Sequence, residues 1–231
     1  MSTLFVVATP IGNLEDITYR AVRILSEVEL IAAEDTRHTK ILLNRYQINT
    51  PLTSYHKFNI KAKTSHVVEM LKNGKTIALV SDSGTPGISD PGYELIREAI
   101  ESGIRVEVIP GPSAVIAALV SSGLSTDEFI FLGFLPKKPG KKRKVINSLK
   151  EEEKTIIIYE SPYRLIKTLT DINNILGDRP VAVCRELTKK FEEIIRGKAG
   201  DLLEQLKDRV IKGEIVLVVS GFSQATQRES K

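Results

Sequence analysis

The sequence predicts an α/β protein of two domains, and three observations carry that prediction. Short apolar runs alternate with amphipathic stretches along most of the chain, the pattern of a parallel sheet covered by helices on both faces. Two strand-like runs, at 181–187 and 191–196, follow one another with no helical stretch between them; such a short connection requires an antiparallel pair and so a mixed sheet. The length of 231 residues allows two small cores. The expected division is an N-terminal domain with a mainly parallel sheet at 1–115, a C-terminal domain with a mixed sheet at 116–221, and a disordered polar tail at 222–231.

In chain order, "LFVVA" (Leu4 to Ala8) reads as a buried strand. From Asp16 to Val28 the apolar residues Ile17, Val22, Ile24, Leu25 and Val28 recur with helical period. "ELIAAED" is a second short strand, and "HTKILLNRY" and "AKTSHVVEMLKNG" are helical, the latter with Gly74 at its stop. "TIALV" is a strand, "GYELIREAIESG" a helix and "RVEVI" a strand. "PSAVIAALVSSG" is an almost wholly apolar helix, expected to be buried on most sides, with Pro112 in its first turn. The second half reads "EFIFLGFLP" (strand), a basic helix, "KTIIIYE" (strand), "YRLIKTLTDINNILG" (helix), the strand pair "PVAVCREL" and "FEEIIRG", "AGDLLEQLKD" (helix) and "GEIVLVVSG" (strand).

Composition narrows the class. Hydrophobic residues make up 42% and charged residues 27% of the chain, ordinary values for a globular protein. No apolar run approaches the ~20 residues of a membrane span, and the start "MSTLFVVATP" lacks the basic segment of a signal peptide. Cys184 is the only cysteine, so no intramolecular disulfide forms, and a reducing cytoplasm is the expected setting. One cysteine and three histidines, His38, His56 and His66, give no metal-ligand spacing. A net charge of +4 permits a polyanionic partner without demanding one.

Three strands of the first half run into loops of unusual make-up: "TPIGN" after Ala8, "SDSGTPGISDPG" after Val80 and "PGPSA" after Ile109. The second packs three glycines and two prolines into twelve residues, where such turns usually take about 2–6. At the carboxyl ends of parallel strands these loops would line a ligand cleft with main chain. They contain no Lys or Arg, and neither a Walker cradle nor a G-x-G-x-x-G fingerprint is present. A cation-free rim suits a ligand without phosphates, even one that carries positive charge, such as S-adenosylmethionine.

The ordered set "FVVATPIGNLEDIT", "AEDTRHTKILL", "LVSDSGTPGISDPG", "VIPGPSAVIAAL", "FLGFLP", "YESPYR" and "RELTKKFEEIIRG" resembles the tetrapyrrole methylase superfamily, and most closely its RNA-acting branch. The resemblance runs from Leu4 to about Ser220. It implies two α/β domains with S-adenosylmethionine in the cleft between them, usually in a homodimer. It also implies methyl transfer to the ribose 2′-hydroxyl of a cytidine in the decoding region of 16S rRNA, the RNA of the small ribosomal subunit. By resemblance the cofactor residues are Pro10, Asp82, Ser83, Gly84, Thr85, Ser113 and Ala114 in the first half. In the second half they are Tyr159, Arg164, Leu165, Gly213 and Glu214. "TPIGN" stands where tetrapyrrole-acting relatives carry a glycine-rich first loop, which disfavours a tetrapyrrole substrate.

Transfer from a sulfonium needs alignment and a base for the ribose hydroxyl. Glu34 and Asp35 end the strand "LIAA", beside Arg37 and His38, and are candidate catalytic groups; Asp35 is equally placed to cap the following helix. Glu186 is a third candidate, and it and Glu160 are alternatively partners for Arg185 or Arg164. His38 is a weaker base candidate, Cys184 reads as packing, and Tyr55, Tyr93 and Tyr163 read as core or rim. "PKKPGKKRK" has six cations in nine residues ahead of a helix expected to start near its end. Cations at a helix N-terminus oppose its dipole, so Lys137, Lys138, Lys141, Lys142 and Arg143 are expected RNA-phosphate contacts, with Arg37 and Lys189; Lys190 has the same choice between phosphate and solvent. Two other readings stay open: a small-molecule methylase of tetrapyrrole type, and a ribosome-assembly factor that binds RNA without a cofactor.

Overall fold

A computed structural model describes residues 2–222. The expected tail therefore lies almost wholly outside the described residues. The chain divides between Ser113 and Ala114 into two compact units.

The first unit holds a sheet ordered β3-β2-β4-β1-β5, in which β1 is Thr3–Val7, β2 Leu30–Ala33, β3 Leu52–Ser54, β4 Thr76–Val80 and β5 Arg105–Ile109. Every pairing is parallel. Period two explains the double burial. Leu4, Ala32, Ile77 and Leu79 face one layer, built from α3 (Ile60–Lys72) and α4 (Tyr93–Glu101). Val7, Ile31, Ala33, Ala78 and Val80 face the other, built from α1 (Tyr19–Glu27) and α2 (Thr36–Arg45). The helix expected from Asp16 begins at Tyr19, because the Thr18 hydroxyl caps it by accepting from the Ala21 N–H; Leu14–Asp16 forms a separate 3-10 turn. β3 has three residues and no apolar run, so its pattern carries no strand signal.

The second unit starts with α5 (Ala114–Ser122) and carries a sheet ordered β6-β7-β10-β8-β9. These strands are β6 Phe129–Phe134, β7 Thr155–Glu160, β8 Pro180–Arg185, β9 Glu193–Lys198 and β10 Ile215–Val219. β6 and β7 are parallel and the other pairs antiparallel, so the sheet is mixed as expected. One face packs Ile156, Ile158, Val181, Val183, Leu217 and Val219 in a core with residues of α6 (Pro139–Ser148), α7 (Leu165–Leu176) and α8 (Ala199–Leu206). α5 lies near the other face, where the Cys184 thiol reaches the Ala118 carbonyl at 3.8 Å. Two expectations for α5 are corrected. Pro112 lies ahead of the helix rather than in its first turn. Burial covers only one side, since Ile116 and Val120 are 49% and 70% exposed. Buried Arg179 donates to the carbonyls of Leu176 (3.1 Å) and Ser220 (3.4 Å), anchoring the end of β10.

Candidate functional site

In the first unit parallel strands bring every carboxyl end to one edge, and the glycine and proline loops meet there. The loops after β1 and β4 are zipped together. Thr9 N–H donates to Gly84 O at 2.9 Å, Gly84 N–H donates back to Thr9 O at 3.0 Å, and the Thr9 hydroxyl donates to Ser81 O at 3.1 Å. Ala8 N–H reaches the Ile109 carbonyl at 3.2 Å, tying in the end of β5. Pro10 and Gly84 are buried, Asp82, Thr85 and Ser113 half-buried, and Ser83 exposed. Ala114 is half-buried and opens α5 in the second unit. The long loop doubles back on itself: a Cβ on Gly92 would stand 2.5 Å from the Gly87 nitrogen, so only glycine fits there without displacing main chain.

The acidic pair sits on the same edge. Asp82 and the pair clamp β2 to β4: Asp35 N–H donates to Asp82 Oδ1 at 3.0 Å and Asp82 N–H to Glu34 Oε2 at 3.4 Å. The two acids have opposite electrostatics. Burial pushes the Glu34 carboxyl up, and the charges of Asp82, Asp90 and Asp35 add to that, against the hydrogen bond from Asp82. Asp35 caps α2 through Arg37 N–H at 2.8 Å, and the Arg37 guanidinium approaches its two oxygens at 3.2 and 2.8 Å. Those bonds hold Asp35 well below the usual carboxylate range. Asp35 is thus a cap and a partner of Arg37, while Glu34 has the chemistry of a proton acceptor. Asp90, which sequence reasoning misses, accepts from Gly87 N–H, and burial raises it. Its one signal is the repeat Ser81-Asp82-Ser83-Gly84 and Ser89-Asp90-Pro91-Gly92. His38 is exposed on α2, and Tyr55 is buried with its hydroxyl 2.8 Å from that of Thr64.

The second unit also gathers its candidates at one sheet edge. Register places Tyr159 beside Phe134, and Ile215 beside both Glu160 and Arg185. Tyr159 packs edge-on against Phe131 (4.8 Å between centroids) and against Phe134 (5.5 Å). Arg164 donates to the carbonyls of Leu135 (3.0 Å) and Pro136 (3.2 Å) as well as pairing with Glu160 at 3.4 Å. Leu165 is fully buried in the core.

Glu186 has a positive φ of 52°, and its carboxylate accepts from Glu214 N–H at 2.9 Å and pairs with Lys189 at 3.1 Å. Lys189 also reaches Glu214 at 3.0 Å. The Glu186 partner is Lys189; Arg185 pairs with Glu193 instead. Backbone and Lys189 hydrogen bonds outweigh burial and lower the Glu186 carboxyl. Gly213 beneath it has a φ of +93°, which L side chains rarely adopt, and a Cβ there would displace the Glu186 carboxylate.

The basic segment differs from expectation. α6 begins at Pro139, so Lys141 to Lys144 are helical rather than loop. Lys142 faces inward: its side chain is 7% exposed and pairs with Asp171 at 2.7 Å, and it donates to the Thr168 hydroxyl at 3.2 Å. Thr168 in turn donates to Glu160 at 2.6 Å. Lys142 therefore cannot serve as a surface phosphate contact. Arg143 shares Asp171 at 3.0 Å with its side chain 66% exposed. Lys137, Lys138, Lys141 and Lys144 are exposed. Among the described residues no group of His, Cys, Asp and Glu could hold a metal ion, and no helix is long and apolar enough to cross a membrane.

Comparison with known proteins identifies the family and the fold. A family model described as tetrapyrrole (corrin/porphyrin) methylases matches residues 3–203. A protein of Halalkalibacterium halodurans named ribosomal RNA small subunit methyltransferase I is 50% identical over 227 residues, covering 98% of this chain and 78% of that protein. A protein of the same name in Thermotoga maritima is 49% identical, covering 96% of this chain and 99% of its own. Among solved structures, a cobalt precorrin-4 methyltransferase of cobalamin biosynthesis superposes with a TM-score of 0.71 at 18% identity, over 95% of each chain.

Proposed function

The chain belongs to the tetrapyrrole methylase family, and from that premise we propose that it is an S-adenosylmethionine-dependent methyltransferase acting on small-subunit ribosomal RNA, at the ribose 2′-hydroxyl of a cytidine. The observation that carries this reading is the near 50% identity, along almost the whole chain, to proteins named as small-subunit ribosomal RNA methyltransferases. The first unit fits the donor. Its zipped loops offer main-chain groups and no cation, and Glu34, Asp82 and Asp90 share the edge, a setting that favours a positively charged ligand.

When bound, S-adenosylmethionine supplies a methyl on a sulfonium that departs as a neutral thioether. The chain's own task is to hold the ribose oxygen in line and to take its proton. Zipping Thr9 to Gly84 fixes the rim before binding, which lowers the ordering cost of alignment. Glu34 is the proposed general base, since its raised pKa lies nearer neutrality than that of an ordinary carboxylate. Asp35 and Glu186, both held ionised by their partners, orient main chain instead. Pro10, Asp82 to Thr85, Ser113 and Ala114 are the proposed donor contacts of the first half, and Tyr159, Arg164, Leu165, Gly213 and Glu214 those of the second. Lys137, Lys138 and Lys141 are the proposed phosphate contacts. A cytoplasmic homodimer is proposed with this reading, and sedimentation at micromolar concentration reads its state.

Nucleoside mass spectrometry of small-subunit RNA from a deletion strain tests the proposal. Loss of one 2′-O-methylcytidine is expected; an unchanged complement of modified nucleosides contradicts it.

A further inference from the structure

One edge of the second sheet carries more than the residues assigned so far. It holds the carboxyl ends of β6, β7 and β8 and the starts of β9 and β10. Three large aromatic side chains stand exposed on the segments that cross it: Phe134 at 59%, Tyr163 at 92% and Phe191 at 65%. None belongs to a hydrophobic core cluster among the described residues. Arg164 ties segment 161–164 to the carbonyls of Leu135 and Pro136, so Tyr163 lies on the segment adjoining the first lysines. Phe134 ends β6, Tyr163 follows β7 and Phe191 lies between β8 and β9; β6 and β8 are three strand spacings apart, about 14 Å.

Cations accompany the rings. Lys137 and Lys138 follow Phe134 after Leu135 and Pro136, and Lys141 is exposed on α6. Lys190 sits 5.7 Å from the centroid of the Phe191 ring. None of these four lysines pairs with a carboxylate among the described residues. Phe134 is held by Tyr159, which Phe131 braces in turn, so its outward part is fixed in advance of any ligand.

We propose that this edge is a stacking platform for unpaired RNA bases, with Phe134, Tyr163 and Phe191 taking the bases and the lysines taking the phosphates. The inference rests on the methyltransferase reading and specifies its substrate: a locally single-stranded segment rather than intact duplex. Exposed rings alternating with unpaired cations match single strands, whose bases offer π-faces, and not a duplex, whose bases are already stacked. A protein partner would equally cover the rings, but it would not call for four uncompensated lysines.

The chain has no tryptophan, so Phe134→Trp provides a unique fluorescent reporter. Titration with a short cytidine-rich single-stranded RNA is expected to quench it, and the same strand in duplex is expected to leave it unchanged. Tyr163→Leu and Phe191→Leu, made singly, are expected to weaken single-strand binding about five- to a hundredfold each. Donor affinity measured by calorimetry on these two variants stays at the wild-type value and reports that they are folded. Equal binding of single strand and duplex, with both Leu variants binding like wild type, overturns the platform. Methyl transfer by the wild type to small subunits is scored separately. Transfer without stacking sinks the platform alone, and stacking without transfer sinks the methyltransferase reading alone.

Discussion

Glu34 and Asp35 are neighbours with opposite fates, and the difference lies in their partners. Asp35 faces Arg37 and the start of a helix; Glu34 turns into a half-buried acidic corner beside Asp82 and Asp90. Adjacent acids in a sequence do not reveal which one will be desolvated, so that distinction is not legible from the residues. Glu34→Gln is expected to lower the rate of methyl transfer about 10²- to 10⁴-fold, with donor affinity little changed by calorimetry. The stability sign follows from linkage. With its folded pKa raised above the ordinary 4.5, Glu34 binds its proton more tightly in the folded chain. Wild-type stability then falls as pH rises through the raised pKa. The thermal midpoint of Glu34→Gln should match wild type below pH 4 and exceed it at pH 8; the reverse order would contradict the burial of Glu34. At Gly92 the constraint is steric. Gly92→Ala places a methyl against the Gly87 main chain, an overpacking that costs about 1–3 kcal/mol. Unfolding should show that loss, and donor binding should weaken because the loop is displaced.

At the scale of elements, periodicity discloses most of the strands and helices. Outside the apolar helix α5, every long apolar run becomes a strand, because a sheet covered on both faces leaves no polar alternation to confuse the reading. What periodicity misses is short or capped. β3 has too few residues to show a pattern, and the start of α1 is set by a single Thr18 hydroxyl. The start of the basic helix is misplaced for a related reason. Charge density makes 136–144 look like a loop, whereas Pro139 begins the helix and Lys142 lies on its buried side. Only tertiary pairing with Asp171 separates Lys142 from its neighbours, and nothing local marks it. The two kinds of lysine should separate on substitution. Lys138→Ala with Lys141→Ala should leave stability intact and flatten the salt dependence of RNA binding, by about 0.7 in slope for each phosphate no longer neutralised. Lys142→Met should instead destabilise the fold by about 3 kcal/mol, because Asp171 would keep only Arg143 as partner. Denaturant titration of the two variants distinguishes these outcomes.

For the whole molecule, the two units solve the same problem with different sheets. Each has its own core, and each collects loops at one sheet edge by strand direction: parallel throughout in the first, and by alternation around β10 in the second. The first edge is legible because glycine and proline cannot serve a core and therefore advertise themselves. The second is not, since Glu160, Thr168 and Asp171 form a polar chain only once α6, α7 and β7 are packed. Membership of the methylase family assigns the chain its activity. Its central claim is that the methyl arrives on a ribose oxygen of ribosomal RNA. The most direct measurement incubates the purified chain with unmethylated small ribosomal subunits and methyl-labelled S-adenosylmethionine, then digests the RNA to nucleosides for mass spectrometry. Label in 2′-O-methylcytidine is predicted, and label on a nucleobase, or none in the RNA at all, would contradict the account.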